Sequence, residues 1–110
     1  MKISRDDATT WATWFQALGD PSRILILHLL ATEGRPMAVG EITDTLGLAQ
    51  STVSHHLAKL AAVRFVLVES VGNSNRYRVN APCLQCFPSA AEMVMGGKVP
   101  ARFVKATCTT

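Results

Sequence analysis

No apolar run in this 110-residue chain reaches the roughly 18 residues needed to span a bilayer, and the N-terminal MKISRDDATT is too polar for a signal peptide. A cytoplasmic protein with no membrane partner is the expectation. Charge is scarce as well. Only 17% of residues are Asp, Glu, Lys or Arg against 48% hydrophobic, which excludes a disordered chain and points to an apolar interface. Three cysteines are an odd number and form no closed disulfide framework, so thiolate chemistry in a reducing compartment is the stronger expectation. Catalytic signatures are missing too. There is no nucleophile–base pair, phosphate loop or metal-hydrolase motif, and Cys83-x-x-Cys86 does not follow the strand-to-helix context of a thioredoxin-like oxidoreductase. The chain does not read as an enzyme.

What is present points to a polyanion. The net charge is +3 and the pI 9.0. Residues 41–60, EITDTLGLAQSTVSHHLAKL, read as two short helices about a turn: Ile42 and Leu46 are four apart, Gly47 permits the turn, and Val53, Leu57 and Leu60 recur at helical spacing. That is a helix-turn-helix pattern. At about 100° per residue, Ser51, Ser54, His55, Ala58 and Lys59 lie opposite the apolar line, with Gln50, Thr52 and His56 on the flanks. No acid occurs between Thr45 and Val68. A face of small hydroxyls, amide, imidazole and one lysine suits base edges and phosphates in a major groove, whereas a merely solvated face is usually richer in Glu and Lys.

The flanking segments are consistent with one small domain that completes its core by dimerising. Ser4 and Asp7 resemble a helix cap, followed by Trp11, Trp14, Phe15 and Leu18 as a bulky stripe whose role is packing. Asp20-Pro21 starts a second helix, apolar almost all round from Ile24 to Leu30 and hence expected to be central, with His28 as a satisfied core residue. Gly34, Arg35 and Pro36 end it. Val66–Val71 and Arg76–Val79 are strand-like about the turn Gly72-Asn73-Ser74-Asn75. Alternation puts Arg76 and Arg78 on one face, free to meet phosphate or minor groove, with Tyr77 and Val79 packing inward. In the last helix Leu84, Phe87, Ala91 and Met95 give the apolar spacing. Pro88 would cost about 3 kcal/mol in its interior, so the helix is expected to start near Phe87 or Pro88, leaving Cys83–Cys86 in the turn before it and ending at Gly96-Gly97.

Three spaced motifs, Leu18-Gly19-Asp20-Pro21-Ser22-Arg23-Ile24-Leu25, Gln50-Ser51-Thr52-Val53-Ser54-His55-His56-Leu57 and Arg76-Tyr77-Arg78-Val79, resemble the ArsR/SmtB family of metal-responsive winged-helix repressors across about residues 8 to 96. The resemblance implies a mainly α fold with a small β-hairpin wing, a dimeric winged helix-turn-helix. Residues 1–97 would form the DNA-binding and dimerisation domain, with the first helix at the dimer interface, and residues 98–110 a flexible, mildly basic tail. It implies a homodimeric repressor on double-stranded operator DNA, contacted by Gln50, Ser51, Thr52, Ser54, His55, Lys59, Arg76 and Arg78. Ala49 departs from the family, which often has Ser or Thr there to cap the recognition helix; Ser51 is the alternative cap.

The cysteines carry the remaining chemistry. Cys83 and Cys86 are spaced to reach one ion, and Cys108 on the tail could complete a three-sulfur site. Three thiolates suit soft ions: As(III) or Sb(III) in a pyramidal site, or Hg(II), lead or cadmium in a trigonal one. No other cofactor is expected. Thiol redox sensing and a purely structural role remain open alternatives. Arsenic-type members typically carry Cys-x-Cys in the first helix of the helix-turn-helix, and Val39 to Gly47 has none. Zinc-type members use Asp, His and Glu on the last helix, where only Glu92 stands. The chain is most similar to variant members with cysteines near the last helix and tail.

Overall fold

The computed structural model describes residues 3–97, and of residues 83–85 the backbone only. The expected tail at 98–110, with Cys108, lies outside the described residues. Two compact units are distinguished, one made of the chain up to Gln16 together with the segment from Ala81 onward, the other spanning Ala17–Asn80.

In the first unit, α1 (Arg5–Ala17) starts where Ser4 Oγ accepts the Asp7 amide at 3.0 Å, and Asp6 and Asp7 complement the helix dipole. Trp11 and Trp14 are buried, with ring centroids 6.5 Å apart, and Phe15 packs on Phe87 of α5 at 5.1 Å. Helix α5 runs Cys83–Val94, with Pro82 as its N-cap and Pro88 inside it. This corrects the expected start at Phe87 or Pro88, because positions 83 to 86 form the first turn. Pro88 keeps a helical φ, so its local cost is the donor that the Leu84 carbonyl lacks. The buried line runs through Cys86, Ser89, Ala90 and Met93 and not through the expected Phe87, Ala91 and Met95, the last of which is 86% exposed.

The second unit opens with α2 (Pro21–Glu33). Asp20 Oδ1 accepts the Ser22 and Arg23 amides at 2.8 and 3.3 Å, and Pro21 loses nothing at the first helical position. Only Ile26 and Leu30 of this helix are fully buried; Ile24 and Leu25 are about half exposed and His28 is exposed, which corrects the reading of a central helix with a core histidine. The helical period explains it, since residues 24 and 28 fall about 200° from Ile26 and the helix packs within its unit on one side.

A two-residue strand, β1 (Met37–Ala38), precedes α3 (Val39–Leu46). Gly47 in the left-handed region (φ 69) donates to the Thr43 carbonyl at 2.8 Å and turns the chain into α4 (Gln50–Ala62), as a C-terminal glycine does. Val53, Leu57 and Leu60 of α4 are fully buried, each contributing about 1.5–3 kcal/mol. Strands β2 (Val66–Val71) and β3 (Ser74–Val79) form a hairpin closed by Gly72-Asn73, with Val71 opposite Ser74. Gly72 at φ 61 supplies the first turn position, which an L side chain resists. The sheet order is β1-β3-β2, all antiparallel. Asn80 then ties the base of the hairpin: its amide donates to the Phe65 carbonyl at 2.9 Å and its Nδ2 to the Arg64 carbonyl at 2.8 Å. Helix pair and hairpin together make a winged helix-turn-helix.

Candidate nucleic-acid interface

Helix α4 is held by its apolar line against the core, which turns Gln50, Ser51, Ser54, His55, Ala58 and Lys59 to solvent, with Thr52 half-buried at the edge. The face carries no acid. Its N-cap, Ala49, has the extended backbone of a capping residue (φ −69, ψ 146) but makes no side-chain cap bond. Ser51, inside the helix, does not substitute for it. The preceding helix α3 is also capped by alanine, Ala38, yet there Glu41 Oε1 accepts the Ala38 amide at 3.1 Å, completing half of a capping box.

His56 behaves differently from its neighbour His55. It is 9% exposed, and its Nε2 lies 3.7 Å from Asp20 Oδ1, so the recognition helix touches the group that caps α2. Loss of solvent is the largest influence on the Asp20 carboxyl and raises its pKa, but amide donation from Arg23 and Ser22 and the charges of His56 and Arg23 outweigh it and hold the carboxyl below its ordinary value. Sequence reasoning put His56 on a flank and missed this contact. Both halves were visible, in Asp20-Pro21 and His55-His56, but nothing in their spacing pairs them.

On the wing, Glu69 stands opposite Arg76 in the ladder and its Oε2 lies 3.7 Å from Arg78 Nε. Arg78 is exposed, whereas Arg76 is half-buried, with its Nε out of reach of solvent and without a hydrogen-bond partner. Arg76 also lies in the field of Glu41, whose carboxyl is held low first by the Arg35 guanidinium, 2.9 Å away, and then by the Ala38 amide. Tyr77 and Val79 are half-buried, consistent with an inward-facing side of β3.

A family model described as bacterial regulatory protein, arsR family, matches residues 20–67, spanning α2, the helix-turn-helix and the start of the wing. An uncharacterized HTH-type transcriptional regulator of Methanocaldococcus jannaschii is 43% identical over 65 residues, which is 59% of this chain and 72% of that protein. The chain belongs to the ArsR family. It is therefore a transcriptional regulator and not an enzyme. Two solved structures agree across most of the ArsR-type chain. A homodimeric winged helix-turn-helix DNA-binding domain from Mycobacterium bovis has a TM-score of 0.68 at 26% identity, covering 86% of this chain and 88% of its own. The antimony-specific transcriptional repressor AntR has a TM-score of 0.67 at 26% identity, covering 86% and 79%. Several curated relatives are matched over only about half their length, such as the nodulation protein NolR of Rhizobium meliloti (48%) and the SmtB homolog of Synechocystis (55%).

The family's ion-binding chemistry has a sparse counterpart here. Among the described residues no three His, Cys, Asp or Glu side chains converge on a common point. Of the expected thiol ligands, Cys86 is 4% exposed and disulfide-bonded, Cys83 is described by its backbone alone in the first turn of α5, and Cys108 lies outside the described residues. A disulfide sulfur is no thiolate, so the donor set fits a soft ion only after reduction.

Proposed function

We propose that this ArsR-family regulator is a homodimeric repressor that seats α4 in the major groove of double-stranded operator DNA and leaves it when a soft ion binds its cysteines. The observation that carries the DNA assignment is the acid-free outward face of α4. Gln50, Ser51, Thr52, Ser54 and His55 read base edges or position the helix, Lys59 contacts phosphate, and Arg76 and Arg78 contact the backbone from the wing. Two copies would place their recognition helices about 34–36 Å apart on a pseudo-palindrome. Substituting Ser54 and His55 by Ala should weaken operator binding by about 1–3 kcal/mol per lost base contact. Unchanged operator affinity in that double variant would sink the assignment.

The inducer is a thiophilic ion, As(III), Sb(III) or Hg(II), held by Cys83, Cys86 and Cys108 as thiolates. Support comes from the soft-donor chemistry of Cys83-x-x-Cys86, from the start of α5 four residues after the end of the wing strand, and from the likeness to an antimony-specific repressor. When bound, the ion would crosslink these sulfurs. The first turn of α5 would stabilise thiolates there, and binding through Cys108 would draw the tail to the same ion. Coupling of about 1–3 kcal/mol would lower operator affinity some 5–150-fold. Fluorescence anisotropy of labelled operator, with reduced protein titrated by arsenite, antimonite or mercuric ion, tests this. Release from the Cys83→Ser, Cys86→Ser variant at wild-type ion concentrations would refute the site.

The disulfide at Cys86 favours a second reading, a thiol switch in which two thiols give up two electrons and two protons to a peroxide-class oxidant. In the same titration, release by peroxide and indifference to all three ions would select it.

A further inference from the structure

Of the two wing arginines, Arg78 alone is free to leave the sheet, and what holds it is an acid. Arg76 is half-buried beside β1 and Glu41, whereas the Arg78 and Glu69 side chains are 46% and 44% exposed. Glu69 is also the residue that ends the acid-free stretch after Asp44. It therefore puts a carboxylate on the one face of the hairpin that carries both arginines.

Two roles are physically distinct. Glu69 could orient Arg78 for a phosphate, or it could compete with the phosphate. An orienting carboxylate makes short, paired charge-assisted bonds of about 2.7–2.9 Å. Such a bond exists elsewhere in this chain, between Arg35 and Glu41 at 2.9 Å. The Glu69–Arg78 contact is longer, at 3.7 Å, runs through Nε, and joins two solvated side chains. Exposed pairs of that kind are too weak to fix a guanidinium in place. They are strong enough to discount a phosphate contact that is itself worth only a few-fold in affinity.

We infer that Glu69 is a specificity-determining residue, which keeps Arg78 from binding DNA backbone until α4 has engaged its bases. The inference rests on the wing contacting DNA as proposed above. Non-specific binding draws nearly all its free energy from phosphates, so a competing carboxylate lowers it most. In the operator complex the base contacts of α4 hold the wing against the backbone, and Arg78 exchanges Glu69 for phosphate there.

The test compares Glu69→Gln, Arg78→Ala and the double variant on operator and on scrambled duplex from about 50 to 200 mM salt. For Glu69→Gln on scrambled duplex we expect several-fold tighter binding at low salt. One additional phosphate contact should steepen log K against log salt by about 0.9, an extra loss of about 3.5-fold over that range. The operator slope should stay the same, so the ratio of specific to non-specific affinity falls. The gain should vanish in the double variant. Weaker binding of Glu69→Gln to both duplexes would mean that Glu69 orients Arg78, and would overturn the inference. No effect of Glu69→Gln beside a shallower slope for Arg78→Ala would overturn it too while leaving the DNA-bound wing intact. No effect of either single variant would remove the Arg78 contact with DNA, and the inference with it. Both substitutions are at exposed sites, and unchanged melting confirms that folding is not what the binding reads.

Discussion

Replacing Ala49 by Ser should stabilise the protein through one hydrogen bond at the start of the recognition helix. Ala49 already has the backbone of a capping residue, at φ −69 and ψ 146, and Val53 donates to its carbonyl at 3.0 Å, so serine enters without rearrangement. The amides of Ser51 and Thr52 are donors that no alanine side chain can satisfy, and the serine Oγ would accept one of them. Losing such a cap costs about 0.5–2 kcal/mol, so gaining it should contribute about 1 kcal/mol, roughly a fivefold shift in the folded-to-unfolded ratio. For a domain of this size that corresponds to about 4 °C in Tm. The assay is thermal and urea unfolding at one fixed protein concentration, since the proposed dimerisation would make Tm depend on it. Ala49→Val is the control, because it offers no acceptor. Unchanged stability in Ala49→Ser, or an equal rise in Ala49→Val, would refute the reasoning.

Leu57→Ala, at a fully buried site on the inner line of α4, should cost about 2–5 kcal/mol in urea unfolding, and a loss under about 1 kcal/mol would mean the site collapses around the missing atoms. Pro88→Ala should raise the unfolding free energy by about 2 kcal/mol, because it restores a donor for the Leu84 carbonyl and outweighs the gain in unfolded-chain entropy; a lower Tm would show that the proline is favourable where it stands. Asp20 and Glu41 both have folded-state pKa values below their ordinary ones, so their contributions are present above the unfolded-state values and are lost as pH falls through the folded ones. Tm should therefore drop as pH is lowered from about 5 toward 2, and Asp20→Asn should flatten part of that fall; an identical pH profile in Asp20→Asn would exclude its share.

The helix-turn-helix was legible because every local signal agreed: Gly47 where the chain needs a left-handed turn, and Val53, Leu57 and Leu60 at one period. The hairpin was legible for the same reason, although its turn is two residues and not four. Pro88 misleads because a proline's helix-breaking weight takes no account of Pro82, which begins the helix, and several residues of α5 are apolar enough to fit more than one buried line. The α2 reading failed differently. Apolar residues on every side say only that the helix can be buried all round, and Ile24, Leu25 and His28 stay exposed because the unit supplies neighbours on one face. Strand β1 has two residues and no periodicity to detect, since its order comes from backbone pairing with β3. The contact of His56 with Asp20 joins residues whose spacing in the sequence carries no signal of contact, and that of Glu69 with Arg78 depends on the register that the two-residue turn sets.

The wing is rooted twice. Met37 and Ala38, immediately before α3, pair with Tyr77 and Arg76, and Asn80 bonds the carbonyls of Arg64 and Phe65 just after α4. The Asn80 root lies at the hairpin's base and the β1 root midway along β3, and the tip, Gly72-Asn73, is bound to neither. Lineages of this regulator can therefore lengthen or shorten the tip without disturbing the spacing between wing and recognition helix, whereas an insertion at 34–38 or 63–66 would slip a register on which that spacing depends. Length variation among relatives should accumulate at the tip, and an inserted peptide tag should be tolerated there and nowhere else along the hairpin.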